Sequence, residues 1–317
     1  MNTNRSLLGS GWSMVMHNKR YLLWFWLLNL TLAEFGTAMF RKSAHALLDH
    51  SAYSDRLLHG FDMSVLIELF ARPEFPSLQA MSTQSTYFAV LFFLFTAIFL
   101  PGVFAGYAST YRLPREDFFR ACGRNLWRFV RLILTAGIVM AIVAAILFGI
   151  SGAIGKSAAE STDEVLPFKL QVVSLAVIFL VMTTLRIWFD LAEADVVLND
   201  QRAVRKSLAA AFGHTFRSLF SLLTSYVVAA IVGVIFLVAG IWAWLHLVPA
   251  PAWFRAFVIG QITLFLLLIP RFWQRGVAVA YWQRRMLVPV VTTPPVVVSE
   301  PVPQPPIPEP MAPSPQA

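Results

Sequence analysis

The chain has 317 residues, of which 57% are hydrophobic and 13% are charged, and its formal net charge is +8. Soluble domains carry about 25% charged residues, so this composition excludes an ordinary soluble globular protein and indicates an integral membrane protein. The positive charge does not indicate nucleic-acid binding, because the Lys and Arg residues cluster at the ends of apolar runs and do not form a face with interleaved aromatic residues.

Six apolar segments are long enough to cross a membrane, since about 20 residues span the roughly 30 Å hydrocarbon layer as a helix. They lie at residues 21–40, 87–107, 132–150, 172–189, 219–245 and 256–273. We therefore predict an all-α fold, an integral membrane six-helix bundle over residues 1–287. A cleaved signal peptide is the alternative for the first segment, because residues 1–20 are basic. The retained anchor is favoured by Trp24, Trp26 and an apolar run that continues to Phe40.

The distribution of basic residues predicts the orientation of these spans. Of the 25 Lys and Arg residues, 18 lie before the first span, between alternate pairs of spans or after the last span, and 7 lie in the other loops. Cytosolic segments carry the excess of Lys and Arg. We therefore predict a multi-pass protein of a bacterial inner membrane with both termini in the cytosol.

The first outer loop, residues 41–86, carries a pattern of its own. Apolar residues recur at helical spacing over residues 54–70, which predicts an amphipathic helix on the outer membrane surface. The loop also holds several potential zinc ligands, for which a solvated loop surface is the alternative interpretation. These residues are His45, Asp49, His50, His59 and Asp62.

The chain contains an internal repeat. Residues 125–146 and 214–235 share eight identical residues among 22 aligned positions, and a fainter copy begins at His17. We predict three tandem helical-hairpin repeats, each opened by a basic amphipathic helix in the cytosol. The helices of the fourth and sixth spans are expected to continue into the cytosol, through Asp195 and Arg285. Beyond them, residues 288–317 are rich in proline and contain no basic residue, which predicts a disordered cytosolic tail.

Polar residues within or beside the spans are the candidate sites. Asn29 and Glu34 lie inside the first span, where an ionisable side chain indicates a proton or cation site. Pairing of Glu34 with Arg41 or Lys42 at the outer interface is the alternative. In the fourth helix, Arg186, Asp190 and Glu193 share one face, for which the hypotheses are an interfacial ion-pair cluster and a divalent-metal site.

Four arginines at the cytosolic ends of spans are candidate contacts for lipid headgroups, because long basic side chains extend to the interface. They are Arg20, Arg128, Arg131 and Arg217. The chain contains no phosphate-binding loop, no nucleophile elbow, no zinc-protease motif and no dinucleotide-binding glycine motif. Its one cysteine, Cys122, excludes an intrachain disulfide.

These observations predict a non-enzymatic scaffold or accessory subunit that contacts lipid headgroups and binds no cofactor. A protein partner would bind through the cytosolic helices or the proline-rich tail. A small permease with a site between the repeats is the alternative function, and an intramembrane enzyme is the third.

The threefold unit and the stretch Ala203-Val-Arg-Lys-Ser-Leu-Ala-Ala-Ala-Phe212 ahead of His214-Thr-Phe-Arg217 carry a family resemblance. Over residues 1 to about 287 the chain resembles multipass bacterial proteins similar to the membrane domain attached to some glycerophosphodiester phosphodiesterases. The resemblance implies a membrane location. Since no segment of the sequence resembles the soluble phosphodiesterase barrel with its acidic metal ligands, no catalytic residue carries over.

Overall fold

The computed structural model describes residues 6–48, 64, 67, 71, 78–109, 111–159, 165–249 and 252–286. Within these ranges the chain forms helices and no strand, which confirms the predicted all-α class. The eight helices are α1 Leu7–His17, α2 Arg20–Leu48, α3 Leu78–Ala108, α4 Arg115–Ala159, α5 Leu166–Leu198, α6 Val204–Arg217, α7 Leu219–Leu247 and α8 Trp253–Met286. The predicted helix at 54–70, apart from the helical residues 64 and 67, and the predicted tail at 288–317 lie outside the described residues.

In the part of the chain that the structure describes, five helices are long and apolar enough to cross a membrane, namely α3, α4, α5, α7 and α8. They contain the second to sixth predicted spans, which supports a multi-pass membrane protein. The first predicted span lies in α2, a helix of 29 residues that is not among these five. The presence of a sixth span in α2 stays a prediction.

The helices that open the three predicted repeats differ in their backbone. In the second repeat, α4 runs for 45 residues without a break, as predicted, and is about 68 Å long at 1.5 Å per residue. In the third repeat the helix breaks at Ser218, between α6 and α7. In the first repeat it breaks after α1, where the Asn18 side chain donates a hydrogen bond to the Met14 carbonyl. The predicted tandem repeats therefore stay a prediction.

The buried core lies at one end of the helices, the end predicted to face the cytosol. Residues 189–197 of α5 and 276–282 of α8 are buried almost without interruption. Around them lie α1, α6 and the first part of α4, with large buried side chains such as Phe118 and Phe129. In contrast, none of the most apolar part of α4 is buried within the described structure.

Tryptophan side chains connect the helices at this end. The indole nitrogen of Trp282 in α8 donates a 2.7 Å hydrogen bond to the Leu191 carbonyl in α5. The indole of Trp273 donates in the same way to the Leu8 carbonyl in α1, at 2.9 Å. Indole supplies a large apolar surface and needs a partner for its N–H when it is buried. These contacts therefore fix α8 against both the first and the fifth helix.

Two glycines let α1 lie directly against α8. A Cβ atom added to Gly276 would lie 2.7 Å from the Gly11 carbonyl oxygen, and one added to Gly11 would lie 2.7 Å from the Val277 nitrogen. The backbones approach this closely because neither residue has a side chain. Beside them, the rings of Trp12 and Trp273 meet edge to face with centroids 4.9 Å apart.

The turn between α5 and α6 is attached to α4 by ion pairs from Asp200 to Arg128 and, at 3.8 Å, to Arg124. Asp200 has a left-handed backbone with φ of 48°, a conformation that Asp adopts more readily than most residues. Its carboxylate accepts a 2.6 Å hydrogen bond from Arg128 in α4. This hydrogen bond lowers the pKa of the Asp200 carboxyl below its usual value.

Candidate functional site

A cavity of about 590 Å³ lies between α2, α3, α5, α7 and α8. Most of its wall is apolar, with leucines from α2, α7 and α8 and Phe92 from α3. Pro270 of α8 forms part of the lining and faces Gly233 of α7, where an added Cβ would lie 3.3 Å from the proline ring. The volume falls within the roughly 300–1,000 Å³ of typical ligand pockets.

Polar side chains are concentrated at one end of this cavity. Arg186 from α5 meets Arg271 and Gln274 from α8 there, at the depth where the predicted spans reach the cytosolic interface. Asn29 and Gln261 also line the cavity. Gln261 precedes Arg271 by ten residues along α8, which places it about 15 Å away toward the other end. The cavity is thus amphipathic along its length.

Two of these lining residues connect the cavity to a buried carboxylate. The Nε atom of Arg186 lies 3.7 Å from Oδ2 of Asp190, whose side chain is 8% exposed. The same Oδ2 atom accepts a 2.9 Å hydrogen bond from the hydroxyl of Tyr226 in α7. Gln274 completes the link by donating a hydrogen bond to the Tyr226 carbonyl at 3.1 Å. The polar end of the cavity is therefore braced by three helices.

A second buried carboxylate lies one helical turn further along α5. Glu193 is 7% exposed, and its Oε2 atom has no hydrogen-bond partner among the described residues. The Nε atom of Arg275 and the hydroxyl of Tyr107 likewise have none there. Arg275 interacts electrostatically with both the Glu193 carboxyl group and the Tyr107 hydroxyl group. Arg275 is thus a nearby positive charge for Glu193, but among the described residues no ion pair joins the two side chains.

The structure shows how the predicted cluster of Arg186, Asp190 and Glu193 is arranged. The pairing of Arg186 with Asp190 is present, but both carboxylates are buried in the core. Among the described residues, no three His, Cys, Asp or Glu side chains converge as they would around a metal ion. Of the outer-loop candidates for zinc, only His45 lies within the described ranges.

The two candidates in the first predicted span are separated in the structure. Asn29 lines the cavity. Glu34 does not, and instead accepts a 2.7 Å hydrogen bond from Arg41, with both side chains about half exposed. This is the contact that the sequence suggested as the alternative to a proton or cation site.

The four arginines predicted to contact lipid headgroups also fall into two groups. Arg20 donates to the Leu113 carbonyl at 2.6 Å, and Arg128 is bound to Asp200, so both guanidinium groups already have a partner within the protein. Arg131 and Arg217 are exposed and make no ion pair within the described part of the chain. The Arg131 guanidinium lies 5.2 Å from the centre of the Trp127 ring.

Sequence reasoning missed Arg271, Gln274 and Tyr226 as members of the site. Arg271 and Gln274 follow an apolar run directly, so they indicate the cytosolic end of a span, as many such residues do. Gln261, ten residues earlier and well inside the run, is the one local signal that this helix faces something other than lipid.

Comparisons with models of protein families, with curated proteins and with solved structures found no match to this chain. The resemblance to the membrane domain attached to some glycerophosphodiester phosphodiesterases therefore stays a prediction. The roles of the cavity residues rest on their own geometry.

Proposed function

We propose that this protein is a six-span protein of a bacterial inner membrane that binds a membrane lipid in the cavity and acts by interaction, as a scaffold or accessory subunit. The observation that supports this is the cavity itself, with apolar walls along the helices and two arginines and a glutamine at one end. That arrangement complements an amphiphile with one polar end.

A lipid is favoured over a water-soluble ligand because of where the cavity lies. Four of its five helices, α3, α5, α7 and α8, are apolar enough to cross the membrane. A lipid reaches such a site by lateral diffusion, and its acyl chains replace other acyl chains against the leucine side chains. Its headgroup meets polar side chains at the matching depth.

The lining also favours binding over catalysis. Within the described part of the chain, the residues that line the cavity include no Ser, Cys, His, Asp or Glu. These are the side chains that most often serve as nucleophile or general base. The nearest carboxylate, Asp190, is already bound by Tyr226 and Arg186.

The orientation that we propose has both termini in the cytosol and α2 as a sixth span, with the polar end of the cavity toward the cytosol. Its support is the excess of Lys and Arg on that side. Reporter fusions after Arg285 should then read cytosolic, and fusions near Asp163 should read external. The opposite pair of readings would refute this orientation.

The binding proposal is tested by filling the cavity. Ala33 is exposed and lines the cavity, so Ala33→Trp should block it without disturbing the buried core. Ala145→Trp, at an exposed position in the lipid-facing part of α4, is the matched control. Native mass spectrometry should detect a bound lipid on the wild type and on the control and much less on Ala33→Trp. Equal lipid occupancy in all three proteins would overturn the proposal.

A permease is the second candidate, because the cavity is formed by helices from all three predicted repeat units: α2 and α3, α5, and α7 with α8. Proton uptake by purified protein in liposomes tests it. A wild-type flux that Ala33→Trp blocks and Ala145→Trp leaves intact would favour the permease over the scaffold.

A further inference from the structure

The polar end of the cavity carries more positive charge than its neighbours balance. Arg186 and Arg271 line this end of the cavity. The positive charges of Arg186 and Arg275 both repel that of Arg271. Asp190 is the negative neighbour of Arg186, at 3.7 Å, and Glu193 interacts electrostatically with Arg275. Arg271 makes no ion pair with any residue in the described ranges, so one guanidinium at the cavity is left without a counter-charge.

The Arg271 side chain is exposed, but at the edge of the hydrocarbon layer an arginine without a counter-charge is still unfavourable, and two further arginines nearby add repulsion. A bound anion would remove both costs. Guanidinium groups suit phosphate in particular, because their planar N–H donors match two phosphate oxygens at once.

We infer that the cavity binds an anionic phospholipid, whose headgroup phosphate lies between Arg271 and Arg186 and whose acyl chains extend along the leucines of α7 and α8. This inference rests on the proposed function, and it adds the chemical class of the lipid.

Arg186 has donors to spare for such a headgroup. Its Nε atom is 3.7 Å from Asp190, which is beyond hydrogen-bond distance, so the pair is held by charge alone. The guanidinium carries five N–H donors, and it lies at the lining of the cavity. Gln274 adds an amide at the same end while its nitrogen is held by the Tyr226 carbonyl.

The same charges select against a zwitterionic lipid. A choline headgroup would bring a positive charge to within reach of Arg271 and Arg186 and would cancel much of the gain from its phosphate. A headgroup such as glycerol brings no positive charge. The site should therefore distinguish phosphatidylglycerol from phosphatidylcholine even when their acyl chains are identical.

The test measures the binding of these two lipids to the full-length protein in neutral detergent, by native mass spectrometry at matched lipid concentrations. Wild type should bind phosphatidylglycerol about tenfold more tightly than phosphatidylcholine, which corresponds to about 1.4 kcal/mol. Arg271→Gln should remove most of this preference, and Arg271→Lys should retain part of it because the charge remains. Arg255→Gln, at an exposed position near the other end of α8, is the matched control and should leave the preference unchanged.

Arg271 is the residue to change because its charged neighbours repel it, so its removal leaves no buried carboxylate unpaired. A wild type that binds both lipids equally, with Ala33→Trp still blocking both, would overturn this inference and leave the proposed function intact. Lipid binding that is insensitive to Ala33→Trp would overturn the proposed function itself. Displacement of phosphatidylglycerol by inorganic phosphate would show a site for free anions and would also overturn the inference.

Discussion

Replacement of Gly276 by alanine should detach α1 from α8. The added Cβ would lie 2.7 Å from the Gly11 carbonyl oxygen and 3.2 Å from two further backbone atoms of Gly11. No side chain can rotate to relieve this contact, since all three atoms belong to the backbone of α1. The helix as a whole has to move, and overpacking of this kind costs about 1–3 kcal/mol.

Gly123→Ala in α4 is the matched control for this prediction, because a Cβ there would meet nothing within 4 Å. Both substitutions gain the higher helix propensity of alanine, about 1 kcal/mol, so this gain cancels in the comparison. Reversible unfolding in mixed micelles should therefore find Gly276→Ala less stable than Gly123→Ala by about 1–3 kcal/mol. The emission of Trp12 and Trp273 should also change, because their rings are in contact only while α1 is docked. Equal stability of the two variants would refute the close approach of α1 and α8.

Two other contacts give further predictions. Tyr226→Phe should lower the free energy of unfolding by about 1.5–3 kcal/mol, the usual loss for a hydrogen bond to a charged group, because Asp190 loses its hydroxyl donor. Tyr111→Phe, whose side chain is 83% exposed, is the control, and an equal effect of the two would contradict the assignment. The pKa of Asp200 is lowered from 3.8 by Arg128, so its carboxylate contributes stability above pH 3.8 that is lost as pH falls through the lowered value. Asp200→Asn should thus lower the free energy of unfolding by at most about 1 kcal/mol at pH 7, as for exposed ion pairs. The variant should also lose less stability than the wild type when the pH is lowered. An identical pH dependence of stability in the two proteins below pH 3.8 would contradict this prediction.

The extent of the helices could be predicted from the sequence, but the burial of their ends could not. The apolar run that ends near Trp273 continues into a helix through Arg285, as predicted, because no residue there breaks the helical hydrogen bonds. The sequence predicted only that this continuation extends into the cytosol. In the structure it lies at the centre, with Val277 and Val279 fully buried. That position depends on contacts with helices far away in the chain, which local periodicity does not encode.

The candidate site was predictable only in part for the same reason. Asn29 is a polar residue within an apolar run, so the sequence identified it, and it lines the cavity. Arg271 is as ordinary in sequence as any arginine that ends a span, and its role emerges only when α5 places Arg186 beside it. The repeat alignment gave Arg128 and Arg217 one role, yet Arg128 is bound by Asp200 and Arg217 is exposed. The partner that distinguishes the two arginines, Asp200, lies outside both aligned segments, so the alignment could not show this difference.

The pairing of α1 with α8 sets the order in which the protein can complete its fold. The Trp273 indole and the Leu8 carbonyl are separated by 265 residues. At synthesis rates of about 5–20 residues per second, α1 waits roughly 13–53 s after its own synthesis before its partner has been made. During that interval the apolar face of α1 has no native surface to cover it. The native contact of the first helix can therefore form only after the last helix has been synthesised.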